Sequence, residues 1–221
     1  MPNRSLVDQS FLVSNITVDD PWCSSHGAVD GGNFLGAGML YYALAYTLAP
    51  RVCVCLGSGG GFVPRLMRQA QRDLGLDPSR TILVDGAQDV SEPRKEIWGS
   101  PYWLEESSTF RSNYPDVEIL LKLTDAAFHE YFFPEQLSID YLHIDADHHY
   151  DGVKRDWELY KGLVPDTGVI TLHDTVNYRE PCGVPRLLDE IRSDSEYDVV
   201  NFPVSYGTAI VRKRIAHEER Q

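Results

Sequence analysis

Between Arg51 and Arg214 the chain changes rhythm repeatedly. Short apolar runs rich in β-branched residues, "RVCVCLG", "RTILVDG", "DVEILLKLTD", "IDYLHIDAD" and "TGVITLHD", read as strands. Between them, "GFVPRLMRQAQRDLG", "DGVKRDWELYKGLV" and "PRLLDEIRSD" space their apolar residues three or four apart, as helices do, and Pro64 places the first helix start near itself. The last two runs, "YDVVNFP" and "YGTAIVRKR", read as a closing antiparallel pair. Strand and helix in alternation predict an α/β, doubly wound, mostly parallel seven-stranded sheet with an antiparallel last strand and helices on both faces. Parallel strands are covered on both sides, which accounts for unalternating stretches such as Ile119 to Leu121. The stretch "FLGAGMLYYALAYTLA", Phe34 to Ala49, is apolar almost all round but shorter than the roughly 20 residues of a membrane span. A buried core helix is expected there.

Length and charge narrow the picture. At 221 residues one domain, 1–221, is expected, with residues 1–32 outside the alternation as an arm or lid and 215–221 as a frayed tail. The formal net charge of −13 argues against nucleic acid and against an anionic membrane surface as partners. The first twenty residues carry no signal-peptide pattern. Cys53 and Cys55, two apart in a strand, share one face and are expected to pack as thiols in a reducing, cytoplasmic setting.

The polar residues cluster where strands end. "CLGSGGGFV" sets Gly57, Gly59, Gly60 and Gly61 between the first strand and the first helix, the place for a tight turn or for a ligand lying close to backbone. The second strand ends at Asp85 and the third at Asp125. A carboxylate at the first position can accept from both ribose hydroxyls, and one at the second from an adenine amine. Loop and acids together describe a nucleoside site. The fourth strand ends in Asp145, Asp147 and His148, and the fifth in His173 and Asp174. If those strands are neighbours, Asp145, His173 and Asp174 offer two carboxylates and an imidazole to one divalent cation. Oxygen donors suit Mg²⁺, and the imidazole admits Mn²⁺, Fe²⁺ or Zn²⁺. The same residues without a metal make a hydrogen-bonded polar patch. His148 has the ordinary pKa of a general base, with Asp147 the next candidate. His149 reads as a surface or capping residue and Asp156 as a solvated helix charge.

The segment "IDADHHYDGVKRDWELYKGLVPDTGVITLHDT" resembles the class I S-adenosylmethionine-dependent methyltransferases, in particular the small-molecule O-methyltransferase branch with the macrocin and mycinamicin sugar O-methyltransferases and the cephalosporin-biosynthesis relatives. The resemblance runs from about Pro50 to Lys213 and rests on Asp145 to Tyr150 and on His173-Asp174. It implies a Rossmann-like methyltransferase fold, S-adenosylmethionine as cofactor and a small-molecule acceptor, with a homodimer as a further expectation. By the resemblance, Gly57, Ser58, Gly59, Gly61, Asp85, Gly86, Asp125, Ala126 and Asp145 contact the cofactor. Asp145, His173 and Asp174 match the metal ligands and His148 the base. The chain departs from the family at Cys55, where an acidic residue is usual, at His173, another acidic position, and at Pro165-Asp166-Thr167-Gly168, where Pro-Gly-Gly is usual. A nucleotide-dependent oxidoreductase and a catalytically silent cofactor-binding protein are the rival readings.

Overall fold

The apolar run after Arg51 becomes β1 (Val52–Leu56), whose last four residues are fully buried. A computed structural model describes residues 23–28, 35–86, 108–179 and 181–215. It carries β2 (Arg80–Val84), β3 (Glu118–Leu120), β4 (Tyr141–Ile144), β5 (Val169–His173), β6 (Tyr197–Phe202) and β7 (Thr208–Lys213) in one sheet of order β3-β2-β1-β4-β5-β7-β6. β1 to β5 run parallel, and β7 alone is reversed, antiparallel to β5 on one side and to β6 on the other. This is the expected α/β, Rossmann-like methyltransferase architecture with its reversed last strand.

Two cores cover the two faces because successive strand residues point to opposite sides. On one face Cys53, Cys55, Leu83 and Tyr141 meet α1 (Gly38–Leu48) and α2 (Phe62–Asp73) through Tyr41, Ala45, Phe62, Leu66 and Met67. On the other, Val54, Leu56, Ile82, Leu142 and Ile144 share a core with α5 (Tyr150–Tyr160) and α6 (Val184–Ser193), which contribute Val153, Trp157, Tyr160, Leu187 and Ile191. Two short helices complete the chain order, α3 (Thr109–Asn113) and α4 (Thr124–Ala127), the latter running on through a wider turn to Glu135. Each large apolar side chain buried here contributes roughly 1.5–3 kcal/mol. Among the described residues no helix is long and apolar enough to cross a membrane.

Three expectations need correction. The run Ile119 to Leu121 is not covered on both faces: β3 is a three-residue edge strand, half-buried, and Leu121 lies past its end, 40% exposed. A strand with one neighbour lacks the second flank that would cover it. The helix within Phe34 to Ala49 is not buried all round, since Ala43 and Thr47 face solvent while Tyr41, Tyr42 and Ala45 pack on the sheet side. Its exposed positions are an alanine and a threonine, and Met39, Leu40, Leu44, Tyr46 and Leu48 are half-buried. α2 begins at Phe62, near Pro64 as expected, and Pro64 lies within the first turn, where its missing N–H costs no helical bond. Asp156, read as solvated, is fully buried between Val153 and Tyr160 on the inner face of α5.

Candidate active site

The sheet order changes direction between β1 and β4, and a crevice opens at the carboxyl ends of strands flanking such a point. The registers Leu56 to Val84, Leu56 to Ile144 and Ile144 to Leu172 bring Gly57, Asp85, Asp145 and His173 to one level along that edge. Gly57, Gly59 and Gly61 all take positive φ, at 71°, 61° and 81°. At Gly57 a Cβ would stand 2.4 Å from the Asp145 carbonyl oxygen, so only glycine lets the ends of β1 and β4 approach. The loop is held from beneath. The buried Arg65 donates from Nε to the Gly61 carbonyl at 3.0 Å and from Nη2 to that of Gly60 at 2.9 Å. The Cys55 thiol donates to the Gly57 carbonyl at 3.0 Å. The Ser58 hydroxyl is buried in the loop with no hydrogen-bond partner. Asp85 and Gly86 follow β2, half-buried. Asp125 and Ala126 lie not on a strand tip but in the first turn of α4, where Asp125 Oδ1 accepts from the Ala126 N–H at 2.8 Å.

Asp145 is the hub of the second half of the site. His148 Nε2 lies 3.1 Å from its Oδ1 and 3.2 Å from Asp174 Oδ2. His173 Nδ1 lies 3.2 Å from Asp145 Oδ1 and 3.5 Å from Asp174 Oδ2. The predicted set Asp145, His148, His173 and Asp174 is therefore assembled in space. Asp174 holds a positive φ of 58°, an uncommon state for a residue with a side chain, and Asn177 Nδ2 donates to its Oδ1 at 3.0 Å. Asp147 turns elsewhere: its Oδ1 accepts from the His149 N–H at 3.0 Å and meets His149 Nδ1 at 2.8 Å, at the start of α5.

Charge follows geometry. Burial alone would raise the Asp145 carboxyl, but His173, His143 and His148 around it hold it well below the usual carboxylate range. Burial opposes a charge on His173, yet Asp145 and Asp174 outweigh it and push its pKa up to about 10. For His148 burial again works downward, and the same two carboxylates raise it above the ordinary histidine value. His26 is driven the other way, well below that value, first by burial and then by His173.

Two members of the cluster escaped sequence reasoning. His26, in the single helical turn Cys23–His26, is 2% exposed, and its ring lies 4.1 Å from that of His173. His143, in the middle of β4, is fully buried, with Nδ1 2.8 Å from Thr171 Oγ1. Nothing local marks His26. His143 was visible as a polar residue inside an apolar strand. Residues 1–22 and 29–32 of the arm lie outside the described residues.

A methyltransferase domain model matches residues 54–175, more than half of the chain and nearly all of the site. The chain belongs to the methyltransferase-domain family. No curated protein sequence matches it. Among solved structures of this fold, an O-methyltransferase from Bacillus cereus in complex with S-adenosylhomocysteine aligns over 97% of this chain and 93% of its own, at TM-score 0.62 and 16% identity. The O-methyltransferase TomG from Streptomyces achromogenes, involved in tomaymycin synthesis and bound to S-adenosylmethionine, covers 94% of both chains at TM-score 0.61 and 14% identity. An S-adenosylhomocysteine-bound methyltransferase from Podospora anserina covers 97% and 91% at TM-score 0.59 and 14% identity. At these identities the likeness is one of fold.

Proposed function

We propose that the protein is an S-adenosylmethionine-dependent O-methyltransferase acting on a small-molecule hydroxyl, with a divalent cation at Asp145, His173 and Asp174 and with His148 as the base. The observation that carries this reading is the convergence, on one edge of the sheet, of a positive-φ glycine loop with Asp85 and an imidazole–carboxylate cluster. The chain's own features fit the cofactor. The loop carries three positive-φ glycines, and the buried Ser58 hydroxyl has no hydrogen-bond partner within the chain. The donor set fits a cation, because His173 Nδ1 lies 3.2 Å from Asp145 Oδ1 and 3.5 Å from Asp174 Oδ2. Solved neighbours of the fold bound to S-adenosylmethionine or S-adenosylhomocysteine support the same choice.

When bound, S-adenosylmethionine supplies an electrophilic methyl on a sulfonium sulfur, and a divalent cation lowers the pKa of a coordinated hydroxyl. The chain aligns and deprotonates. Positioning by the glycine loop, Asp85 and Asp125 can supply on the order of 7–11 kcal/mol of the barrier. His148 Nε2 takes the acceptor proton, and the carboxylates at 3.1 and 3.2 Å stabilise the imidazolium that results. Those carboxylates keep His148 protonated too readily for a base when they are unneutralised. Were Asp145 and Asp174 to hold a cation, their pull on His148 would be offset and the imidazole left free to accept a proton.

Titration calorimetry of the metal-free protein with S-adenosylhomocysteine tests the cofactor half. Asp85→Ala is expected to weaken binding by about tenfold or more, since hydrogen bonds to a charged group are worth roughly 1.5–3 kcal/mol. A thermal shift with NAD and none with S-adenosylmethionine would transfer the site to an oxidoreductase.

A further inference from the structure

The orientation of the histidines around Asp145 carries more than the reading above uses. His173 Nε2 lies 3.3 Å from the Ser25 carbonyl oxygen, which only accepts, so Nε2 carries the hydrogen. In the neutral ring Nδ1 is then a lone pair, and it faces two carboxylate oxygens at 3.2 and 3.5 Å. Acceptor facing acceptor is repulsive, so a positive centre sits between them, a proton on Nδ1 or a cation in its place. His26 repeats the pattern. Its Nδ1 lies 3.1 Å from the Tyr41 hydroxyl, itself 2.9 Å from Thr208 Oγ1, and its Nε2 points to Asp145 Oδ2 at 3.8 Å, beyond hydrogen-bond reach. One ring nitrogen anchored to an outer partner and the other aimed inward is how proteins orient metal-ligating imidazoles. A separate observation agrees: the fully buried His143 aims Nε2 at Asp145 Oδ2 from 3.8 Å, and that nitrogen has no hydrogen-bond partner, so the cluster is not closed by its own bonds.

Resting on the cation reading of this cluster, we propose that His26 is a ligand of the same ion, giving a two-imidazole, carboxylate set of His26 Nε2, His173 Nδ1 and Asp145 with Asp174 alongside. Its ligand atoms lie within 4.8 Å of one another for His26, Asp145 and His173. Nitrogen donors in that number favour Fe²⁺, Co²⁺ or Zn²⁺ over Mg²⁺, which keeps to oxygen. The turn bearing His26 is built for the purpose. The Ala37 N–H donates to the His26 carbonyl at 2.8 Å, the ring stacks on Phe62 at 5.1 Å, and at Gly36 a Cβ would collide with the His26 carbonyl at 2.4 Å. His26, 2% exposed, is the inward member of the set, and the more exposed His148 is left to face an acceptor hydroxyl.

The test titrates metal-free, full-length protein with Co²⁺ and with Mg²⁺ by calorimetry and records the visible spectrum and the paramagnetically shifted imidazole N–H resonances. Expected are one Co²⁺ site, at least about 100-fold tighter than Mg²⁺, and shifted N–H resonances from both His26 and His173. His26→Gln removes one resonance and weakens Co²⁺ by more than about tenfold. Tyr41→Phe keeps the ring but removes its outer partner, and is expected to weaken Co²⁺ by about tenfold. Preference for Mg²⁺, no divalent binding, or a single shifted imidazole in the wild type overturns the proposal, and the wild-type resonances decide even if His26→Gln does not fold. S-adenosylhomocysteine binding to the metal-free wild type is read in parallel. Its loss sinks the methyltransferase reading alone, and its retention without Co²⁺ binding sinks the metal reading alone.

Discussion

Asp156 shows how far burial can move one residue from its expected role. Its Oδ1 accepts from the Thr124 hydroxyl, its Oδ2 has no partner, and desolvation, with Asp147 and Asp125 nearby, pushes its pKa up to about 7. The folded pKa lies above the unfolded one, so the folded state binds the extra proton. The stability this adds is complete below about pH 4 and is lost as pH rises through about 7. Asp156→Asn, which cannot ionise, is expected to lose less stability than the wild type between those limits, by a few kcal/mol at most. Urea unfolding at pH 4.5 and 7.5 reads the difference, and parallel curves for the two proteins would contradict it. His148 makes the complementary functional case. His148→Ala is expected to lower turnover by roughly a hundredfold or more and to leave S-adenosylhomocysteine affinity nearly unchanged. His149→Ala serves as control, because that ring is half-exposed and tied to Asp147. Equal small losses from both would remove His148 from the mechanism.

Among the elements, the turn from β1 into α2 has the least freedom. Gly57→Ala places a methyl against the Asp145 carbonyl in a backbone region that L-residues avoid, so strain of roughly 1–3 kcal/mol is expected together with loss of cofactor binding. Gly75 supplies the contrast. It too has positive φ, at 64°, but a Cβ there meets nothing within 4 Å. Gly75→Ala is therefore expected to lower the melting temperature less and to leave calorimetric binding intact. A Gly57→Ala protein that binds as tightly as wild type would remove the loop from the cofactor site. The strands and principal helices were legible as elements because their apolar periods differ. Their depth was not. β3 reads as a core strand in sequence and is an edge strand in space, since being an edge depends on what lies beside it.

The whole molecule gathers at Asp145 groups from three segments: His26 from the turn before α1, His143 and His148 from β4 and the loop after it, His173 and Asp174 from the end of β5. Metal removal probes that assembly as a unit. Thorough chelation is expected to suppress methyl transfer by at least about a hundredfold while S-adenosylhomocysteine affinity stays within about a factor of two. Restored metal at about 100 times its dissociation constant is expected to stabilise the fold by about 2.7 kcal/mol, visible as a raised melting temperature. Full activity on an acceptor after chelation would leave the cluster as a hydrogen-bonded network.

The sequence by itself determined the alternation of strand and helix, the reversed final strand, the glycine turn and the acids and imidazoles at the ends of β4 and β5. Each of these is a local pattern: a period of two or of three to four, a residue able to take positive φ, or a polar residue at the end of an apolar run. Only the tertiary structure decided which strand ends are neighbours, that Asp156 and Arg65 are buried, and that His26 completes a group built almost 120 residues further along the chain. Burial and convergence depend on the packing of segments remote in sequence, and no spacing within one segment encodes them. His26 shows the difference most directly, since the sequence around it carries no motif and its role follows from the ring nitrogen that Tyr41 anchors and the one that faces Asp145.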